Sequence, residues 1–122
     1  MASPSSIVKS ELSGSTDGLG VKVAATSSAG TTIHTASSGT GDNNYDELWI
    51  WAVNCDTSAI KLTIQYGGTT TVDHDIEVTI PPEDGLVPVI PGLIIQNSLV
   101  VKAYAGTANK IVLYGYSNEI TA

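Results

Sequence analysis

From Ile60 to Ile80 the chain alternates apolar and polar residues almost without interruption. Ile60, Leu62, Ile64 and Tyr66 alternate with Lys61, Thr63 and Gln65, and after Gly67-Gly68 the residues Val72, His74, Ile76, Val78 and Ile80 alternate with Asp73, Asp75, Glu77 and Thr79. A period of two puts successive side chains on opposite faces of a strand. Two adjacent glycines supply the positive φ that tight hairpin turns need. The pattern predicts a hairpin over 60–80 with one greasy face and one face that is wet or engaged by a partner. No stretch of ten residues anywhere in the chain carries a helical period of apolar residues, so the fold must be built from sheet alone.

The rest of the chain repeats this grammar in shorter pieces. Leu19, Val21, Val23 and Ala25 share one face of a segment that ends in a Ser-Ser-Ala-Gly turn at 27–30, and Thr31–Ala36 is β-branched and strand-like. Residues 37–46 form the longest loop signal. Leu48, Ile50 and Ala52 then alternate with Trp49, Trp51 and Val53. Both faces are apolar, which predicts a central strand covered on both sides. The tryptophans are expected to fill the core, with a subunit interface as the alternative. Pro81-Pro82 stops the strand before it. Short segments are expected at 86–90 and 93–96 with a corner at Pro91-Gly92, and longer strands over 99–105 and 110–117. About eight strands with turns at short intervals predict an antiparallel β-sandwich, jelly-roll or Greek-key.

With 122 residues, one domain accommodates all of this. Residues 19–122 read as the sandwich. Residues 1–18 are rich in Ser, Gly and Thr and show no period, so they read as an extended N-terminal arm, flexible or ordered by a partner. Ile7, Val8 and Leu12 are the apolar residues such an arm could bury against a neighbour. The exposed face of the last strands offers Tyr104, Tyr114 and Tyr116 as further contact residues.

Charge narrows the function classes. Five lysines, no arginine and twelve acids leave a net charge of −7. Nucleic-acid binding draws its affinity from a basic patch, which this chain lacks, and an anionic membrane would repel it. Residues 1–20 contain no apolar core of a secretory signal, and no apolar run is long enough to span a bilayer. The single cysteine, Cys55, has no partner within the chain and sits beside Asp56, which disfavours a thiolate.

No reactive cluster stands out. His74 points away from Asp73 and Asp75 in a strand, so the three cannot hold one ion, and both His74 and His34 read as hydrogen-bonded core or rim residues. Asp73, Asp75 and Glu77 line one strand face at a spacing that suits an inverting glycosidase pair, but the face has no aromatic platform, and a solvated or lysine-paired acidic face is the better account. Asp42, Asn43, Asn44 and Asp46 offer hard oxygens, yet the full calcium-loop pattern is missing and a polar turn is the plainer reading. No elbow serine, phosphate-cradling loop, cofactor site or metal site is expected, and the chain is expected not to be an enzyme.

Four stretches carry a resemblance: Leu48-Trp49-Ile50-Trp51-Ala52-Val53-Asn54, Leu62-Thr63-Ile64-Gln65-Tyr66-Gly67-Gly68, Pro88-Val89-Ile90-Pro91-Gly92-Leu93 and Val112-Leu113-Tyr114-Gly115-Tyr116-Ser117-Asn118. Over Leu48 to Ile120 the chain resembles the structural proteins of tailed-bacteriophage virions, in particular the capsid cement or decoration proteins and related tail and head-fibre modules. The resemblance implies a β-sandwich that binds the major capsid protein, self-associates as a dimer or trimer, stabilises the shell and resides on the capsid surface after synthesis in the host cytoplasm. A receptor- or carbohydrate-binding module of a tail or head fibre is the alternative, with Tyr45, Tyr104, Tyr114 and Tyr116 as candidate sugar platforms.

Overall fold

The computed structural model describes residues 6–121 and contains nine strands and no helix among them. They are β1 (Ser6–Glu11), β2 (Val21–Lys22), β3 (Thr31–Thr35), β4 (Tyr45–Asn54), β5 (Ile60–Tyr66), β6 (Asp75–Ile80), β7 (Val87–Ile95), β8 (Val100–Ala105) and β9 (Ile111–Thr121). One sheet, A, has the order β1-β9-β4-β7, with β2 also paired to β9; the other, B, has the order β3-β8-β5-β6.

The antiparallel pairs β5·β6, β4·β7, β3·β8 and β2·β9 nest inside one another. The chain is therefore one long antiparallel ribbon, folded at the β5–β6 turn and rolled so that its strands fall alternately into two sheets. That connectivity is a jelly roll, which decides between the two arrangements the strand count allowed. β1 is an addition that continues the β2 side of β9.

The core lies between the sheets. Leu48, Ile50, Ala52, Ile111 and Leu113 of sheet A face Leu62, Ile64, Ile80, Val101 and Ala103 of sheet B, all fully buried. The two-residue period thus does its work in β4, β5, β8 and β9, where one alternate set is sealed from water.

Several expectations are corrected here. Leu12 is not an exposed contact: it is 1% exposed and packs in the core. The chain leaving β1 crosses from sheet A to the edge of β3, where Gly14 N–H bonds Ile33 O (2.9 Å) and Ser13 Oγ accepts from Thr35 N–H (2.6 Å). Leu12 is carried inward by that crossing. Ile7 and Val8 do belong to the exposed part, at 62% and 52%, on a strand paired in register with β9 from Ser6↔Thr121 to Glu11↔Tyr116. Residues 1–5 of the expected arm lie outside the described residues. Leu19 is exposed and does not join Val21 and Val23 in the core.

The hairpin turn is longer than two residues. Tyr66 N–H bonds His74 O (2.8 Å) and β6 begins only at Asp75, so residues 67–74 form the connection and Val72 is exposed. Glu77 of β6 pairs with Lys61 of β5 at 2.5 Å, in line with a lysine-paired acidic face. The expected corner at Pro91-Gly92 is absorbed into one strand. β7 stays paired to β4 through two register shifts, between Leu48 and Trp49 and between Ile50 and Trp51. The shifts skip Gly92 and Val89, and Gly92 has φ +80°, the conformation a glycine bulge requires. β7 lies at the edge of sheet A, where Pro88 and Pro91 need donate to no further strand.

Candidate interaction face

The outer face of sheet A is aromatic. The register of β4 with β9 sets Glu47 beside Asn118, Trp49 beside Tyr116, Trp51 beside Tyr114 and Val53 beside Val112. These residues all alternate with core residues, so all point outward. On the far side of β4, Ile94, Pro91 and Pro88 stand opposite Glu47, Trp49 and Trp51. On the far side of β9, Ile7, Lys9 and Glu11 stand opposite Ile120, Asn118 and Tyr116. The tryptophans expected in the core therefore lie outside it, partly buried by one another.

Three rings form one stacked group. Trp51 and Tyr116 have centroids 6.0 Å apart, Trp49 and Trp51 6.3 Å, and Trp49 and Tyr116 6.4 Å, with interplanar angles of 18–30°. Such spacings lie within the attractive range for offset rings. Lys9 Nζ sits 4.2 Å above the Tyr116 ring, a cation–π contact. Trp49 Nε1–H donates to Glu47 Oε1 (2.8 Å), which also accepts from Asn118 Nδ2–H (3.1 Å). These two donors stabilise the carboxylate and lower the Glu47 pKa. Gly92 passes under the Trp49 ring, where a Cβ would come within 2.7 Å of it. The face is thus held in one arrangement before anything binds it.

The outer face of sheet B is polar. It presents Lys61, Thr63, Gln65, Glu77, Thr79, Lys102 and Tyr104. Thr63 and Gln65 there are buried; Gln65 meets the connection between β2 and β3, accepting from Gly30 N–H (2.8 Å) and donating to Ser28 Oγ (2.8 Å). Of the three tyrosines expected as contacts, Tyr114 and Tyr116 share the aromatic face and Tyr104 lies on the opposite sheet. Tyr114 is the most open of the ring cluster, at 40% exposed. Tyr45, a candidate sugar platform, is buried. Ile7 joins the rim of the aromatic face beside Ile120, while Val8 faces the other way.

Charge is distributed unevenly. Lys9, Lys22, Glu11 and Glu47 on the outer face of sheet A cancel, and Lys61, Lys102, Asp75 and Glu77 on that of sheet B cancel too. The net −7 falls on buried Asp46, on Glu119 at the strand end, and on the turns that carry Asp17, Asp42, Asp56, Asp73, Glu83, Asp84 and Lys110.

One polar network is buried. His34 Nε2 and Asp46 Oδ2 are 2.6 Å apart, and both residues are sealed from solvent. Ser13 N–H donates to His34 Nδ1 at 3.0 Å. That nitrogen must keep its lone pair, so the proton is on Nε2 and points at the carboxylate. Asp46 also accepts from the Ser37 hydroxyl and N–H. Burial, reinforced by the charge of Asp46, pushes the Tyr66 phenol well above its ordinary value. The arrangement is not that of a hydrolytic triad: among the described residues no serine hydroxyl bonds His34, and both ring nitrogens are occupied. It ties the crossing after β1 to β3 and β4. Asp46 is thereby committed to the interior and does not belong to an oxygen-rich loop with Asp42. His74 lies in the 67–74 turn, where its Nδ1 accepts from Thr70 N–H (3.2 Å). Cys55 is a free, exposed thiol.

Among the described residues there is no pocket, no group of three or more acidic, His or Cys side chains placed to hold a metal ion, and no helix long and apolar enough to cross a membrane. No protein-family model, curated protein or solved structure matches the chain.

Proposed function

We propose that the chain is a structural protein of a tailed-bacteriophage virion, of the capsid cement type, which binds the major capsid protein and stabilises the shell. The observation that carries this reading is the outer face of sheet A. A preorganised stack of two tryptophans and a tyrosine, flanked by Tyr114, Pro88, Pro91 and Ile94, is the composition of a protein-contact surface, in which Trp and Tyr dominate the energetics. Its rings already hold their rotamers through Glu47, Lys9 and each other, so little side-chain entropy remains to be lost on binding. The acidic turns keep free copies apart until they reach the shell. The fold itself hosts many functions and is used here only as compatible with the resemblance of the four sequence stretches.

The test is direct. Mass spectrometry of purified particles should find the chain at a copy number tied to the capsid lattice. Particles lacking it should release DNA at a lower temperature, and adding the purified chain back should restore the difference. Equal robustness with and without the chain sinks the proposal.

A second reading is favoured by the same ring cluster: a receptor- or carbohydrate-binding module that stacks sugar rings on Trp49, Trp51 and Tyr116. It requires saccharides to quench or shift tryptophan emission, and a glycan array without hits removes it.

A further inference from the structure

We propose that the free edge of β6 takes up an extended segment of another protein as an added strand of sheet B, a segment in which apolar side chains alternate with lysine or arginine. The proposal does not depend on the contact through sheet A.

The backbone is the first ground. Tyr66 N–H bonds His74 O (2.8 Å), and the β5·β6 register continues from that pair without a shift through Ile64↔Ile76, Leu62↔Val78 and Ile60↔Ile80. Bonded pairs alternate with unbonded ones in an antiparallel ladder. Asp75, Glu77 and Thr79 therefore turn their N–H and C=O groups away from β5. Asp75 N–H is taken by Val72 O (3.2 Å). Among the described residues, the Asp75 carbonyl and both backbone groups of Glu77 and of Thr79 have no backbone partner. Such a row is a template for a further strand. The other sheet edges do not offer one. The crossing at Ser13 and Gly14 covers β3, and β7 carries Pro88, Pro91 and two bulges. β1 is exposed along nearly its whole length and has no core to share with a neighbour.

Apolar surface is the second ground. β6 and β7 run along the two sheet edges on the same side of the sandwich, with β4 reaching β6 across the core. There Ile76, Val78 and Val87 are only half-buried, and Leu93 is 40% exposed. The register turns all of them inward: Ile76 and Val78 stand opposite Ile64 and Leu62, Val87 and Leu93 opposite Ala52 and Leu48. A strand added to β6 lays every second side chain over this seam.

Charge names the occupant. Residues 62–101 contain five acids and no lysine. All five, Asp73, Asp75, Glu77, Glu83 and Asp84, lie on β6 or on the connections at its two ends. The lysines of that outer face, Lys61 and Lys102, sit inboard on β5 and β8, and Lys61 reaches only Glu77. Residues directly opposite on adjacent strands share a face, and opposite charges there attract. The side chains that do not cover the seam therefore meet Asp75 and Glu77 and should be basic. A second copy does not fit. Its β6 would set acid against acid, and the five lysines of this chain stand singly, with no two spaced to alternate along one strand.

The experiment is a nuclear magnetic resonance titration of the isotope-labelled full chain with a short blocked peptide that alternates lysine and valine. A peptide of the same composition with its lysines grouped together is the control. The expected result is binding tighter than about 1 mM, with the Glu77 and Thr79 amides shifting and becoming protected from exchange. Glu77→Lys should weaken binding at least about tenfold. Thr79→Pro removes an outward N–H without touching the β5 ladder and should do the same. Asp17→Lys makes the same charge change in the β1–β2 connection, away from β6, and should leave binding within about twofold. Amide spectra of each variant check that the sandwich is intact. No binding of the alternating peptide at about 1 mM overturns the proposal. So does equal binding of the grouped peptide, or equal weakening by Asp17→Lys and Glu77→Lys, since either would mean attraction of charge alone. A shell bound through sheet A by a chain that ignores the peptide would remove this proposal and leave the cement reading standing.

Discussion

Replacing Leu12 by Ala separates a core residue from a tail residue in one measurement. Leu12 is 1% exposed and belongs to the core cluster, although it follows a strand whose side chains are mostly open. Removing three carbon groups forfeits roughly 2.4 kcal/mol of transfer free energy at about 0.8 kcal/mol each. The cavity adds to this, because the crossing at Ser13 and Gly14 is pinned to β3 and cannot collapse inward; the total should be about 3–4 kcal/mol. With a urea m-value of about 1.5 kcal/mol/M, the midpoint should fall by about 2 M. Ile7→Ala, at a site 62% exposed, should move stability by no more than about 0.5 kcal/mol. Urea unfolding followed by tryptophan emission reads both. Truncation sharpens the contrast: among the described residues, removing 2–11 takes β1 and the Glu11 carboxylate that accepts from Gly18 N–H, whereas removing 2–14 also takes Leu12 and the hydrogen bonds of Ser13 and Gly14. Equal midpoints for Leu12→Ala and Ile7→Ala would refute the placement of Leu12 and return it to the tail.

Three further perturbations probe the rest of the structure. Asp46→Ala leaves His34 Nε2–H and the Ser37 hydroxyl without their buried acceptor and should cost about 2–4 kcal/mol by calorimetry, as leaving buried donors unsatisfied does; Ser37→Ala should cost clearly less. Glu47 has a pKa lowered below its ordinary 4.5, so its contribution to stability is present above that value and is lost as pH falls through the lower folded value; near-ultraviolet circular dichroism of the tryptophans should change in that acid range, and Glu47→Gln should remove the dependence. Gly92→Ala places a Cβ against the Trp49 ring at φ +80° and should cost about 1–3 kcal/mol while weakening the tryptophan dichroism; an unchanged spectrum would mean that the bulge does not support the stack.

Which parts of this were legible in the chain follows from what period and composition can encode. The β5 and β9 alternations predict their buried faces because one set is apolar and the other polar or mixed. In β4 both sets are apolar, and alternation cannot say which faces inward. The answer depends on the opposite sheet, against which Leu48, Ile50 and Ala52 join the core while the two indoles stack outside it. Leu12 stands alone among Ser and Gly, so no period marks it; its burial follows from a crossing between sheets that only the tertiary arrangement supplies. The prolines of β7 suggested two segments, because a proline interrupts a ladder. An edge strand with two bulges keeps its pairing on one side and tolerates both. That Tyr114 and Tyr116 share one face of the last strand is legible because they alternate with Leu113 and Gly115. Their joining with Trp49 and Trp51 depends on the β4·β9 register, which no local feature of either strand fixes.

The central claim is that this protein works by contact through the outer face of sheet A. Hydroxyl-radical footprinting of the dilute free chain against the assembled one tests it most directly. The account predicts that Trp49, Trp51, Tyr114 and Tyr116 lose reactivity on assembly while Tyr104, on the outer face of sheet B, keeps its own. Protection of Tyr104 with no change at the four sheet A rings would contradict it.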